Sequence, residues 1–280
     1  MTVAASKGTA GSVSRLAAVL RDPRTAVPDR AAAQEIVDAA ERHRMFALLG
    51  RRLSNAGTLP QWPRNVRDRL AAVERESAAV ECIRSRELEQ VLEALWGAGV
   101  RALIFKGAAL AYTHYPAPHL RSRTDTDILL EAAAAPTGGR VLESLGYLPQ
   151  HETSGALVSH QRHFGKHDHF GIFHAVDLHW KISNRHALAD RIGFDELWRR
   201  SVPLPALGST AVTVDPIHAL LLAVVHRAGH HPGSSNLLWL YDMYVLLDLL
   251  CEPLRRGIDR SSIRGASLDV FIHGRVDRLQ

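Results

Sequence analysis

The chain has 280 residues, 46% hydrophobic and 22% charged, with a formal net charge of +5, which is room for one large domain or two small ones with an ample core. Only two cysteines occur, Cys82 and Cys251; they fit no metal or redox spacing, exclude a disulfide scaffold, and read as free thiols in the core. No uncharged apolar run of about eighteen residues is present, and the N-terminal MTVAASKGTAGSVSRLAAVLRD lacks a signal-peptide block, so a cytoplasmic protein without a membrane span is expected.

Residues 1 to about 12 are small and polar and are expected to be disordered. Asp29 is placed to cap a helix through about Arg52, with Ala33, Ile36, Val37, Ala40, Met45 and Leu48 as its stripe. Pro60 and Pro63 break the chain, and a longer helical pattern from about Arg64 to Trp96 ends at Gly97 and Gly99. Its charged face reads as solvated scaffold or lid.

Ala102-Leu103-Ile104-Phe105 is a short apolar strand closed by Lys106-Gly107. Glycine permits a sharp turn and close approach to a ligand, and Ala108 to Tyr112 favour a helix whose free N–H groups would face a phosphate. Asp125-Thr126-Asp127-Ile128-Leu129-Leu130 then reads as a strand with both carboxylates on one face, and Ala175-Val176-Asp177-Leu178-His179-Trp180 as another with Asp177 and His179 on one face. Like charges so placed repel unless a cation lies between them, and hard divalent cations such as magnesium prefer oxygen ligands. Carboxylates on neighbouring strands beside a glycine turn are what two-metal phosphoryl or nucleotidyl transfer requires.

Between these strands, Pro136 to Gly146 is expected to be a helix, Tyr147-Leu148 to start a strand, and His151 to Trp180 to form antiparallel strands. That last segment holds His160, His163, His167, His169, His174 and His179, with His167 and His169 expected on one face, so a histidine-rich metalloprotein is a rival reading. Against it stands the absence of a helical His-Glu-x-x-His or paired cysteines. Leu197 and Trp198 suggest an amphipathic turn, Thr210 to Val214 a strand, and Asp215-Pro216 opens a helix with Ala219, Leu220, Leu222, Ala223 and Val224 largely buried. His218 and His226 on it are expected to be satisfied by neighbours or to close over the site. Leu237 to Leu250 is a further apolar helix, and from Glu252 onward helical periodicity fades.

The Lys-Gly turn, the Tyr-Pro segment, Arg121 ahead of Asp-x-Asp, and the later Asp-Leu-His-Trp together resemble the uncharacterised nucleotidyltransferase family, within the DNA polymerase beta-like superfamily, over about Arg30 to Leu250. Two features depart from the wider superfamily: Gly107-Ala108 replaces the usual Gly-Ser or Gly-Gly, removing a hydroxyl contact to phosphate, and the gap from Gly107 to Asp125 is longer. The resemblance implies an α+β fold, a small mixed sheet carrying the site between N-terminal and C-terminal helices. The expected divisions are residues 1–98 (helical), 99–214 (nucleotidyltransferase core) and 215–280 (helical, with an atypical tail).

By the same resemblance, Asp125, Asp127 and Asp177 are catalytic metal ligands for two Mg2+ ions, with Asp177 also able to take the acceptor's proton. The Gly107 backbone would cradle phosphates, Lys106 or Arg121 would neutralise departing pyrophosphate, and His179 would touch phosphate or the surroundings of the metal. Asp242 matches an Asp often found in the family, as polar anchor or substrate contact. The implied partners are a nucleoside triphosphate, ATP among the candidates, and an unidentified acceptor that could be a small molecule, peptide, protein or RNA. A catalytically inactive nucleotide- or partner-binding module on the same fold is the alternative.

Overall fold

The computed structural model describes residues 4–24, 29–150, 159–230 and 236–257. The tail after residue 257 and the start of the expected strand segment, residues 151–158, lie outside them.

From Ala4 the described residues form a helix, α1 (Ala4–Arg21), where disorder to about residue 12 is expected; residues 1–3 lie outside the described residues. Leu16, Val19 and Leu20 repeat at helical spacing and bury in the same core as Ile36 and Val37 of α2 (Arg30–Arg42). Asp29 caps α2, its Oδ1 accepting from the Ala32 N–H at 2.8 Å. The expected single helix from Asp29 to Arg52 is instead two: Arg44 takes the left-handed conformation at φ 59°, and α3 (Phe46–Asn55) starts after it. The apolar stripe explains the break, because the step from Ala40 to Met45 is out of phase with a 3.6-residue repeat, and only a bend buries both halves. After Pro63, α4 (Arg64–Gly97) runs unbroken until Gly99, whose φ of 72° favours glycine. Val66 and Leu70 at its start join the helical core, whereas Leu88, Val91, Leu92 and Leu95 at its end join the core beneath the sheet.

The sheet follows. β1 (Ala102–Ile104) leads into α5 (Lys106–Thr113), then β2 (Thr126–Leu130), α6 (Ala135–Ser144), β3 (Leu148–Pro149), β4 (Gln161–His167) and β5 (Phe173–His179). Short helices α7 (His186–Ala189) and α8 (Phe194–Arg199) precede β6 (Val202–Pro203) and β7 (Val212–Thr213). Among the described residues these strands form one mixed sheet of seven in the order β3-β4-β5-β2-β1-β7-β6. Its centre positions the site: β2 runs antiparallel to β1 and parallel to β5, and β4 is antiparallel to β5.

Alternation assigns the two faces. Ile104, Ile128, Leu130, Val176 and Leu178 pack on α4 and on Leu142 of α6, while Leu103, Phe105 and Leu129 face a second cluster with Ile182, Leu197, Val214 and Leu222. Asp127, Asp177 and His179 sit on this second face at its open end.

Asp215 caps α9 (Pro216–His230), accepting from the Ile217 N–H at 2.9 Å. Leu222 is buried as expected, but Val224 is 46% exposed, lying with Ile217 and Leu221 on the outer face. Among the described residues the last helix, α10 (Leu237–Gly257), continues past Glu252, and its Leu238 and Leu246 enter the core built by α1 to α3. Cys82 is exposed and Cys251 half-buried, so neither is the core thiol expected. Among the described residues no helix is long and apolar enough to cross a membrane.

Candidate active site

Parallel pairing of β2 with β5 puts Asp127 directly beside Asp177 in register, and registered neighbours point their side chains to the same face. His179 lies two residues on, so the ligand atoms of Asp127, Asp177 and His179 all fall within 4.8 Å of one another. Asp125, expected inside the strand, precedes it by one residue; it is not a member of that close group and makes no hydrogen bond or ion pair among the described residues.

Lys106 completes the constellation. Its Nζ lies 2.7 Å from Asp127 Oδ1 and 3.3 Å from His179 Nε2, and His179 Nε2 is 2.8 Å from the same Asp127 oxygen. The left-handed residue of this turn is Lys106, at φ 53°, and not Gly107. A non-glycine residue held there costs about 1–3 kcal/mol, which the ion pair at the end of its side chain helps offset. Gly107 is required for a different reason than a turn: a Cβ on it would stand 2.3 Å from Arg121 Nη1. The guanidinium of Arg121 therefore fills the space that a side chain at 107 would need.

Arg121 is buried, its Nη2 donating to Asp242 Oδ2 at 2.7 Å and its Nε to Oδ1 at 3.2 Å. Tyr115 donates to the same carboxylate at 2.7 Å, so Asp242 of α10 anchors the loop that leads to Asp125. A parallel buttress comes from α4: Glu81 is buried and accepts from Arg123 Nη2 at 2.7 Å, and Arg84 donates to the Arg123 carbonyl at 3.0 Å. The charged side of α4 is thus partly inside the protein, contrary to the solvated face expected of it.

Lys106, Gly107, Arg121, Asp125, Asp127, Asp177 and His179 all line a single cleft of about 420 Å³. Sequence reasoning did not single out Arg44, Gln161, Asn184 or Trp239, which line it too. Arg44 falls within an apparently continuous helical stripe in the sequence, and the position of Gln161 depends on the β4–β5 register, which pairs it with His179.

Residues 29–261 match the profile of the uncharacterised nucleotidyltransferase family. The chain belongs to that family. Among solved structures, the antibiotic-resistance factor ANT(2'')-Ia is similar at 12% identity and a TM-score of 0.42, over 63% of this chain and 86% of that one. An antigenic nucleotidyltransferase-like protein from Paracoccidioides brasiliensis is similar at 11% identity and a TM-score of 0.41, over 59% and 76% respectively. A search of curated proteins gave no match.

The electrostatics of the cleft are sharply divided. Burial alone would raise Asp127, but the Lys106 ammonium and the His179 hydrogen bond outweigh it and hold the carboxyl well below its usual range. Burial and the nearby Lys106 charge push His179 down to about 4, so at neutral pH its imidazole is uncharged and donates Nε2–H to Asp127. Burial raises Asp125, reinforced by the Asp127 charge. Asp177 is likewise raised by burial, partly countered by its hydrogen bond from His163. Carboxylates crowded this way are relieved by a cation, and the donor set fits a hard one: the Asp127 and Asp177 oxygens converge, whereas the His179 nitrogen is already engaged in orienting Asp127.

The histidine cluster does not assemble. β4 ends at His167, which packs on Phe173, and His169 sits in the following turn against Phe170, so the two share no strand face. His174 pairs with Asp168 at 2.9 Å and His163 with Asp177 at 2.7 Å. Among the described residues the group of potential metal ligands is Asp127, Asp177 and His179. The two α9 histidines diverge: His218 is buried between Asp215 and Glu196, while His226 lines the cleft beside Trp239.

Proposed function

We propose that this protein transfers a nucleoside monophosphate from a nucleoside triphosphate to an acceptor hydroxyl, with magnesium as cofactor and pyrophosphate as the second product. The observation that carries the reading is the in-register pair Asp127 and Asp177, with Asp125 just ahead, in a cleft that also receives the amino end of α5.

Asp125, Asp127 and Asp177 would hold two Mg2+ ions, whose contribution is to neutralise phosphate oxygens and to lower the pKa of the acceptor hydroxyl. Peptide N–H groups at the start of α5 donate to phosphate oxygens, since Lys106 and Gly107 line the cleft there. The Lys106 ammonium, close to Asp127, supplies positive charge as the bond between the α- and β-phosphates breaks and pyrophosphate departs. Asp177 takes the proton of the acceptor hydroxyl as its oxygen bonds to the α-phosphorus. Arg121 keeps its guanidinium on Asp242 and acts mainly by holding the Gly107 backbone in place.

A second reading, nucleotide or partner binding without turnover, is favoured by one observation: Asp127 already has an internal counter-charge in the Lys106 ammonium and a hydrogen bond from His179. Incubation of the purified protein with each α-labelled nucleoside triphosphate, against small molecules, peptides, RNA and whole lysate, decides between them. Magnesium-dependent label transfer with stoichiometric pyrophosphate release is expected. Saturable nucleotide binding with no transfer to any acceptor would favour the second reading.

A further inference from the structure

We propose that Asn184, Gln161 and His163 form a directed hydrogen-bond relay ending on Asp177, with His163 as a positioning residue for transfer. The inference rests on the reading of Asp177 as the carboxylate that meets the acceptor.

The register creates the opportunity. On antiparallel β4 and β5, Gln161 pairs with His179 and His163 with Asp177, and residues two apart on a strand share a face. Gln161 and His163 therefore stand on the side of the sheet that carries the cleft carboxylates. The links are short: Asn184 Nδ2 to Gln161 Oε1 3.2 Å, Gln161 Nε2 to His163 Nε2 3.0 Å, and His163 Nδ1 to Asp177 Oδ1 2.7 Å.

A backbone amide sets the direction of every link. The His160 N–H can only donate, and it donates to Asn184 Oδ1 at 2.8 Å. Asn184 must then present Nδ2–H to Gln161 Oε1, so Gln161 presents Nε2–H to His163. His163 Nε2 is consequently the acceptor, the ring proton lies on Nδ1, and Nδ1–H is given to Asp177 Oδ1. Two amides and a ring thus lock one oxygen of Asp177. Its other oxygen has no hydrogen bond among the described residues, and Asp177 lines the cleft. Outer partners of this kind fix the orientation of reacting carboxylates, and their loss typically costs about 10–100-fold in activity or metal affinity.

Structural disruption is a poor alternative account, because the His163 side chain is 45% exposed and removes little core when replaced. Direct contact with substrate is the stronger rival, since Gln161 and Asn184 line the cleft themselves. A double-mutant cycle separates the two. His163→Phe is expected to lower kcat about 10–100-fold with the nucleotide KM unchanged. His163→Asn, whose amide N–H reaches about where Nδ1 stands, should recover most of that loss; His163→Gln, whose amide reaches toward the Nε2 position, should not. Gln161→Leu is expected to lower kcat in the wild-type background and to add nothing in the His163→Phe background.

A readout independent of turnover is the 15N spectrum of histidine-labelled protein, in which His163 is expected to donate from Nδ1 and accept at Nε2. A wild-type His163 protonated on Nε2 alone, equal rates for His163→Asn and His163→Phe, or additive losses in the Gln161→Leu cycle would each overturn the relay. Should the protein transfer no nucleotide while His163 shows Nδ1–H, the function reading fails and takes the positioning role with it.

Discussion

Asp177→Asn is expected to fold normally, to bind nucleotide with near wild-type affinity, and to lose at least about 10²–10⁴-fold in the rate of transfer. An acceptor hydroxyl is a poor nucleophile at neutral pH, and general-base assistance contributes on that order. The substitution is unusually clean here. Asparagine keeps an Oδ1 that can accept from His163, so the 2.7 Å contact to the neighbouring strand survives while the basic oxygen and the negative charge are lost. Asp127 offers no such clean change, since neutralising it strands the Lys106 ammonium beside an uncharged His179. Val176→Ala is the control on the opposite face: Val176 is 3% exposed in the sheet core, so its truncation should cost stability and leave the chemical step near normal. Single-turnover rates at saturating nucleotide make the comparison. Near-normal transfer by Asp177→Asn would place the base elsewhere.

The largest effect on stability is expected from Asp242→Ala. Asp242 is 3% exposed and accepts from Tyr115 and from two nitrogens of Arg121. Its removal leaves a buried guanidinium without its ion-pair partner, a change that costs about 3–5 kcal/mol. Replacing both partners with apolar residues, Arg121→Met with Asp242→Leu, should restore most of that stability, because a buried ion pair is often no better than well-packed hydrocarbon. Activity should not return with it, since the Arg121 guanidinium packs on the Gly107 backbone and lines the cleft. Urea unfolding followed by circular dichroism tests the first claim. A loss below about 1 kcal/mol for Asp242→Ala, the size typical of an exposed pair, would contradict it.

What could be read from the chain followed from strict alternation. Asp127 beside Ile128, and Asp177 and His179 around Leu178, announce their faces because a strand has a period of two, and the structure keeps that division. The long helix α4 was legible for the same kind of reason, a sustained helical repeat between Pro63 and Gly99. What alternation cannot supply is register. Nothing local says that Asp127 pairs with Asp177, or that Gln161 falls opposite His179; those follow from which strands become neighbours. The left-handed residues were hidden as well. Glycine at 107 drew the turn's conformational freedom to itself, whereas Lys106 carries the positive φ and Gly107 makes room for Arg121. Arg44 sat inside an apparently continuous helical stripe, and only the need to bury both Ala40 and Met45 exposes the break. On α4 charge alone does not indicate exposure, because Glu81 lies inside against Arg123.

Nucleotide binding is expected to depend on magnesium. Calorimetric titration of a nucleoside triphosphate into the wild type, with magnesium and then with a chelator, is expected to show tighter binding with the ion. The same pair of titrations on Asp125→Asn/Asp127→Asn, checked for folding by circular dichroism, should show no difference between the two conditions. Some metal-free affinity is expected to remain in that variant, because Lys106 is freed from Asp127 to meet phosphate. The ratio of the two affinities is therefore the quantity to compare. A folded double variant that keeps the wild-type magnesium dependence would contradict the assignment of these carboxylates.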